Sequence, residues 1–443
     1  MKKIYKLISI MLTVVFCLLT YTNVLAATFN IDFEPTTRSL LVANLDTDTT
    51  VYEKNPDEKL SIASLTKIMT YIVCVENIKD LDATKITIEK DLLDSLLGTG
   101  SSLSSLKQGD SFTVKQLLYC MMVSSGNDSA LCLASYIGKG NINNFVRMMN
   151  DKANEIGCKN THFVNPHGLY DPEHYSTASD LYKISKYALG LPYFSEITNT
   201  TTSYILGEDK PPLVTTNSMI DKARGGKYYY KYAKGIKTGH MDEAGYCLAS
   251  TAIKGGYTYM CIALGAPSKD SKGEKITDNA AMLESKQIYT WAFNNLSIKP
   301  VVTLEQPIAE AKVKFAWDKD TTLLVPSKSF STILPKGIDV SSIDISPNIP
   351  DYVPAPIKVG EKVGTATLTY ANQKLATIDL VASENIERNN FVYITSTIKK
   401  IITSTWFIVI VCILLVLVAS YMFLAMMHNR KIKAKKRNRY KKR

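Results

Sequence analysis

Ala63-Ser64-Leu65-Thr66-Lys67-Ile68-Met69, continuing as Thr70-Tyr71-Ile72-Val73-Cys74-Val75, is the stretch on which the reading of this chain turns. Leu65, Ile68, Met69, Ile72 and Val75 recur at helical spacing, so the segment predicts a helix that packs one apolar face. Ser64 and Lys67 are three residues apart and share a face, which brings the lysine amine within reach of the hydroxyl. A serine hydroxyl is a weak nucleophile until a neighbour accepts its proton. Lysine accepts one only when partly neutral, and burial or a second positive charge lowers its pKa toward that state. A position near a helix start also lets the dipole favour an oxyanion.

Working outward, Leu40-Leu41-Val42-Ala43 and residues 49–52 read as two strands joined through Asp46-Thr47-Asp48. Residues 94–111 are rich in Ser and Gly and read as a loop. Residues 114–122 read as a helix that runs into Ser124-Ser125-Gly126-Asn127-Asp128-Ser129, and residues 130–137 as another. Residues 163–169 carry turn chemistry. Thr177-Ala178-Ser179-Asp180 before Leu181 and Ile184 has the form of a capping box. Alternating strands fill 245–264, and a helix over 282–293 closes the unit. From about residue 298 the texture changes: Val313, Phe315 and Trp317 alternate with Lys312, Lys314 and Ala316, and 365–381 reads as a hairpin around Ala371-Asn372-Gln373. Residues 298–386 form a smaller β-rich domain on this reading, and 387–401 a linker.

The pair Ser-x-x-Lys occurs three times: Ser64–Lys67, Ser104–Lys107 and Ser396–Lys399. The second falls in the Ser/Gly-rich loop and the third abuts an apolar C-terminal run, so only the first has a helix and a core around it. Two further motifs follow in order. Ser125-Gly126-Asn127 is a Ser-x-Asn, and Lys237-Thr238-Gly239 is a Lys-Thr-Gly that occurs once. Taken singly, each could be an ordinary turn or strand end; the ordered trio in one chain points to serine acyl-transfer chemistry.

The 443 residues carry a net charge of +11, but its distribution speaks against a nucleic-acid groove. Lys2, Lys3 and Lys6 at one end and ten Lys/Arg from Arg430 to Arg443 at the other supply +13, leaving −2 for residues 27–427. The first end has a charged start, a short apolar run and Val24-Leu25-Ala26-Ala27, the pattern of a secretory signal peptide cut after Ala26. At the other end, residues 406–427 are uncharged. As a helix they would extend about 33 Å, enough to span a hydrocarbon core of roughly 30 Å. The basic tail after it is expected in the cytoplasm, which puts residues 27–400 outside. Of eight cysteines, Cys17 and Cys412 fall in these apolar ends. Cys74, Cys120, Cys132, Cys247 and Cys261 sit in apolar runs and read as buried small side chains. The five histidines show no ligand spacing, so no metal site is indicated.

These residues resemble those of the low-molecular-weight penicillin-binding proteins, the serine-type D-alanyl-D-alanine carboxypeptidases. The flanks carry the likeness too: Asn165-Pro166-His167-Gly168-Leu169, and His240 after the Lys-Thr-Gly with Glu243-Ala244-Gly245-Tyr246. The resemblance is strong over residues 28–296 and looser after it. Ile62 stands where the family often has proline, and Met241 where a small polar residue is usual; neither removes a reacting group. The resemblance implies an α/β fold with a penicillin-binding/β-lactamase-like catalytic domain, an antiparallel sheet flanked by helices plus a helical subdomain. A small all-β domain and one C-terminal transmembrane helix would follow. The implied organisation is signal peptide 1–26, catalytic domain 27–297, β-rich domain 298–386, linker 387–401, transmembrane helix 402–427 and basic cytoplasmic tail 428–443.

The resemblance also implies roles. Ser64 attacks the carbonyl between two D-alanines, Lys67 is the general base, and Ser125 relays a proton to the leaving amine. Asn127 orients the substrate amide and Lys67. Lys237, with Thr238, pairs with the terminal carboxylate and helps keep Lys67 neutral. Gly239 and His240 complete the substrate wall, and the backbone N–H groups of Ser64 and His240 form the oxyanion hole. Peptidoglycan stem peptides are the implied substrate, β-lactams the covalent inhibitors, and no cofactor or metal is required. D,D-endopeptidase or transpeptidase chemistry differs only in leaving group or acceptor. A β-lactamase shares the trio but often needs a glutamate followed by Leu-Asn, a dipeptide this chain does not contain. An inactive wall-binding protein would not need Ser64, Lys67, Ser125 and Lys237 all intact.

Overall fold

Strand β1 (Ser39–Asn44) is buried along its whole length, because alternate residues serve two different cores. Leu41 and Ala43 face one, and Leu40 and Val42 the other. The computed structural model describes residue 29, residues 31–207 and residues 210–440, so the signal peptide read at 1–26 lies outside the described residues. β1 turns back into β2 (Thr49–Lys54), as expected from the Asp-rich turn. A single 3-10 turn, Ala63–Leu65, then leads into α1 (Thr66–Asn77). Helices α2 (Val114–Val123), α3 (Asn127–Ile137), α4 (Ile142–Ile156) and α5 (Ala178–Leu189) follow. Three long strands come next, β3 (Ala233–Met241), β4 (Gly245–Lys254) and β5 (Tyr257–Ala266), and then α6 (Ala280–Asn295).

The strands form one antiparallel sheet in the order β2-β1-β5-β4-β3. Leu41 pairs with Ile262 and Val42 with Cys261, so the two-core alternation is carried across the ladder. On one face Met260, Ile262 and Leu264 meet α1 to α5 through residues such as Ile68, Leu118, Leu133, Phe145 and Ile184. On the other, Tyr259, Cys261 and Ala263 pack with Ile288, Tyr289 and Phe293 of α6. Each large aliphatic side chain so buried stabilises the fold by about 1.5–3 kcal/mol. The expected sheet flanked by helices is therefore present.

The helix starts follow local chemistry. At α2, Thr113 Oγ1 accepts the Gln116 N–H at 3.2 Å and Gln116 Oε1 accepts the Thr113 N–H at 2.8 Å, a complete capping box. At α5 only half of the expected box forms: Thr177 Oγ1 accepts the Asp180 N–H at 3.1 Å. The Asp180 carboxylate accepts instead from the backbone N–H groups of Lys159 and Asn160 and from the Thr161 hydroxyl. The cysteines at 74, 120, 132, 247 and 261 are buried free thiols, as read from their apolar surroundings.

The described chain forms two compact units. The first runs to Lys299 and takes back Thr332–Ile338, a short segment inside the stretch read as β-rich domain. The second contains six strands: β6 (Ala309–Lys314), β7 (Thr321–Pro326), β8 (Asp344–Asn348), β9 (Val353–Pro354), β10 (Lys362–Tyr370) and β11 (Gln373–Ala382). Their order in the sheet is β8-β10-β11-β7-β6-β9. The β10–β11 hairpin turns at Ala371 and Asn372, whose φ angles of 47° and 64° give the left-handed pair that suits a two-residue hairpin.

The stretch read as a linker, 387–401, is mostly helical: α7 spans Asn390–Ile402. Asn389 starts it by accepting the N–H groups of Phe391 at 2.9 Å and Val392 at 3.1 Å, a cap. After Thr403 and Ser404, α8 (Thr405–Tyr440) begins. Its segment Thr405–Lys433 is a candidate membrane span by length and composition, with its apolar side chains exposed throughout.

Candidate active site

Ser64 sits in the middle of the 3-10 turn and Lys67 is the second residue of α1, so one turn of chain holds both. Lys67 Nζ lies 2.8 Å from Ser64 Oγ, 2.6 Å from Asn127 Oδ1 and 2.8 Å from the His167 carbonyl oxygen. Lys67 is fully buried, and burial pushes its amine well below the ordinary lysine range; the nearby Lys237 charge pushes it further. The Asp128 carboxylate pulls in the opposite direction. Burial and the Lys237 charge thus both favour the neutral form of the amine. A neutral amine has two N–H bonds and one lone pair. Asn127 Oδ1 and the His167 carbonyl can only accept, so they take both hydrogens. The lone pair is left facing the Ser64 hydroxyl, the orientation a base needs.

The second motif is held by a strained turn. Ser125 has φ of 63°, in the left-handed region, which costs a non-glycine residue on the order of 1 kcal/mol or more. The turn persists because its neighbours pin it: Gly126 N–H donates to the Cys120 carbonyl at 3.1 Å and Asn127 N–H to the Ser102 carbonyl at 2.8 Å. A Cβ at Gly126 would lie 1.9 Å from Ser104 Oγ, so any side chain there requires the polar groups packed around it to move. Ser125 is nearly buried, and among the described residues its hydroxyl has no hydrogen-bond partner.

The third motif lies on β3, whose Gly239 crosses in front of the 3-10 turn. A Cβ on Gly239 would sit 3.0 Å from both the Ala63 Cβ and the Ile62 carbonyl oxygen, and 3.2 Å from the Ser64 nitrogen. Glycine at this position lets the strand approach Ser64. Lys237 is buried and its amine is lowered to about 7 by that burial; it donates to the Thr238 carbonyl at 3.0 Å. The Thr238 hydroxyl pairs with that of Thr216 at 2.5 Å. His240 stacks on Tyr246 with ring centroids 4.5 Å apart. Met241, which stands where the family usually has a small polar residue, accepts at its sulfur from Ser61 Oγ at 3.6 Å.

The geometry thus joins Ser64, Lys67 and Asn127 by hydrogen bonds, with Lys237 within Coulombic reach; no hydrogen bond ties Ser125 to them. The other two Ser-x-x-Lys pairs do nothing comparable. Ser104 is buried with its hydroxyl 3.1 Å from the Cys120 carbonyl oxygen, and Ser396 lies on exposed α7. Two participants have no motif of their own. The His167 carbonyl reaches Lys67 because Gly168, at φ of 90°, lets the 165–169 turn press on the Ala63 carbonyl; a Cβ there would come within 1.9 Å of that oxygen. Asp128 is buried, accepts the Ser104 N–H at 2.8 Å, and is pushed up by burial. The 165–169 stretch stood out in the sequence through its turn chemistry and its likeness to the family, neither of which names a carbonyl partner for Lys67. Among the described residues no cluster of metal-ligating side chains occurs.

Comparison with known proteins gives the family. Residues 27–268 match the family described as D-alanyl-D-alanine carboxypeptidase, and residues 297–388 match the penicillin-binding protein 5 C-terminal domain. The chain is 31% identical to D-alanyl-D-alanine carboxypeptidase DacF of Bacillus subtilis, over 80% of this chain and 87% of that one. Penicillin-binding protein 5 of Haemophilus influenzae superimposes with a TM-score of 0.65 at 25% identity, covering 81% of this chain and all of that one. The Streptomyces K15 DD-transpeptidase does so with a TM-score of 0.52 at 30% identity, over 60% of this chain and all of that one. With the serine, lysine and asparagine in one hydrogen-bonded group and family matches over both units, this chain belongs to the D-alanyl-D-alanine carboxypeptidase family.

Proposed function

We propose that the chain is a serine-type D-alanyl-D-alanine carboxypeptidase that removes the terminal D-alanine from peptidoglycan pentapeptide stems and so limits cross-linking. The observation that carries it is the Lys67 amine, buried, with two acceptor-only partners and its remaining position 2.8 Å from Ser64 Oγ. Ser64 Oγ attacks the carbonyl between the two D-alanines while its proton passes to Lys67. The oxyanion is held by the backbone N–H groups of Ser64 and His240, and one such donor is worth roughly 3–4 kcal/mol. Ser125 relays a proton to the leaving amine, regaining one from protonated Lys67; free D-alanine departs, and water then releases the shortened stem from Ser64. Lys237 with Thr238 receives the terminal carboxylate, and that anion favours the charged form of Lys237. Asn127 orients the substrate amide. β-Lactams, carrying an equivalent carboxylate beside an acylating carbonyl, acylate the same serine.

The basic tail after α8 supports a cytoplasmic C-terminus, with residues 27–400 outside, where the stems are. The test is release of D-alanine from a muramyl pentapeptide, absent in Ser64→Ala. A wall-binding protein without catalysis releases none from the native chain. The relative titled a DD-transpeptidase motivates one further arm: adding an amine acceptor, whose incorporation in place of water would assign transpeptidation.

A further inference from the structure

His174 is buried in the loop before α5, and none of the three motifs includes it. The chain beside it is pinned: Tyr175 exchanges two backbone hydrogen bonds with His162, and Ser176 exchanges two with Leu60. The ring meets Phe163 edge-on, with centroids 5.7 Å apart. Both ring nitrogens are used. Nδ1 lies 3.1 Å from the Val164 nitrogen, and a backbone N–H can only donate, so Nδ1 carries no hydrogen. Burial lowers the ring to about 4, so the ring is neutral and its one N–H hydrogen is on Nε2. Nε2 lies 2.8 Å from Thr66 Oγ1 and therefore donates to it. The Thr66 hydroxyl keeps one hydrogen of its own, which goes to the Ala63 carbonyl at 2.8 Å.

The two ends of this run of bonds are the two sides of the Ser64 site. Ala63 precedes the serine and has φ of 45°, a left-handed conformation that a residue with a side chain keeps only where its surroundings hold it. Its carbonyl also accepts the Thr66 N–H, and Gly168 packs against it: a Cβ there would fall 1.9 Å from the oxygen and 2.7 Å from Thr66 Oγ1. Val164 leads into the turn whose His167 carbonyl holds Lys67. One imidazole thus ties the backbone that carries Ser64 to the backbone that orients Lys67. Packing alone asks only for the volume of a ring, which phenylalanine supplies. The bonds ask for an acceptor and a donor side by side, which a glutamine amide supplies.

We propose that His174 is a positioning residue for acylation: through Thr66 it fixes the Ala63 carbonyl and so the direction of Ser64 Oγ, and through Val164 it fixes the carbonyl partner of Lys67. This rests on reading Ser64 as the nucleophile and Lys67 as its base. The test is the rate at which a labelled penicillin acylates the full-length protein, with kcat and KM for D-alanine release measured beside it. His174→Phe is expected to slow acylation by about tenfold or more. It should lower kcat while KM stays within about threefold of native, because the loss falls on the reacting groups and not on the carboxylate contacts. Thr66→Val is expected to show the same pattern. Combining the two should slow acylation no further than His174→Phe alone, since both act on one carbonyl. His174→Gln should stay within about threefold of the native acylation rate, because its amide restores both bonds. A native rate in His174→Phe or in Thr66→Val overturns the proposal, as do losses that multiply in the double variant. His174→Gln as slow as His174→Phe, with both melting like the native protein, reduces the ring to packing and overturns it as well. Should either His174 variant fail to fold, Thr66→Val decides: slow acylation supports the proposal and a native rate overturns it. A native chain acylated at Ser64 that releases no D-alanine defeats the carboxypeptidase reading and leaves this proposal to the acylation rates. A native chain that penicillin does not acylate overturns both.

Discussion

In the proposed mechanism Lys67 is the residue whose state decides the chemistry; burial and the Lys237 charge lower its amine, and Asp128 opposes them. The acylation rate should rise with pH as Lys67 loses its proton. It should fall again as Lys237, lowered to about 7 in the free protein, loses the charge that holds the substrate carboxylate. A bell-shaped profile of kcat/KM is expected, and a flat one contradicts both roles. Lys237→Gln removes a positive neighbour from Lys67, so the Lys67 amine rises and the ascending limb moves to higher pH. The same change should cost roughly tenfold or more in kcat/KM through loss of a charged hydrogen-bond partner. A labelled penicillin should map by mass spectrometry to Ser64; attachment at Ser104 or Ser396 is the result that sinks the assignment. The structure gives reasons for that choice, since Ser104 is buried beside Cys120 and Ser396 is on an exposed helix.

At the scale of elements, two glycines allow three segments to converge. β3 comes this close to the 3-10 turn because Gly239 has no Cβ, and the 165–169 turn reaches it because Gly168 adopts φ of 90°. Gly168→Ala meets backbone at 1.9 Å in a left-handed conformation, so it should destabilise the first unit by about 2 kcal/mol or more, read from denaturant midpoints. Gly239→Ala meets its neighbours at 3.0 Å, which a small shift relieves. It should keep the fold yet slow acylation, because a shift of that kind displaces the oxyanion donors; stopped-flow acylation with unchanged thermal melting is the expected pair of results. The elements themselves were largely readable. The apolar spacing in 65–75 and the Asp-rich turn after β1 each announced their structure. The helix at 390–402 was not read, because its run of Thr, Ser and Lys between isoleucines looks like a linker until the Asn389 cap and the 391/394/398/401 spacing are taken together.

For the molecule as a whole, the expected consequence is that catalysis and attachment separate. A chain ending before Thr405 should leave the membrane fraction, while the first unit retains D-alanine release at close to the full-length rate on a soluble pentapeptide. Fractionation with activity assays checks both; loss of activity on removing α8 contradicts the separation. Sequence alone supplied the proposed site residues, since Ser64, Lys67, Asn127 and Lys237 are chemical identities that local motifs display. It also determined the apolar run of α8, because crossing hydrocarbon demands a composition that no context can disguise. Only tertiary structure decided that Lys67 would be stripped of water and left one lone pair toward Ser64. That state is built by the His167 carbonyl and Asn127, which lie 100 and 60 residues away in the chain. Desolvation and hydrogen-bond direction come from what packs around a group, and no neighbour in sequence can supply them.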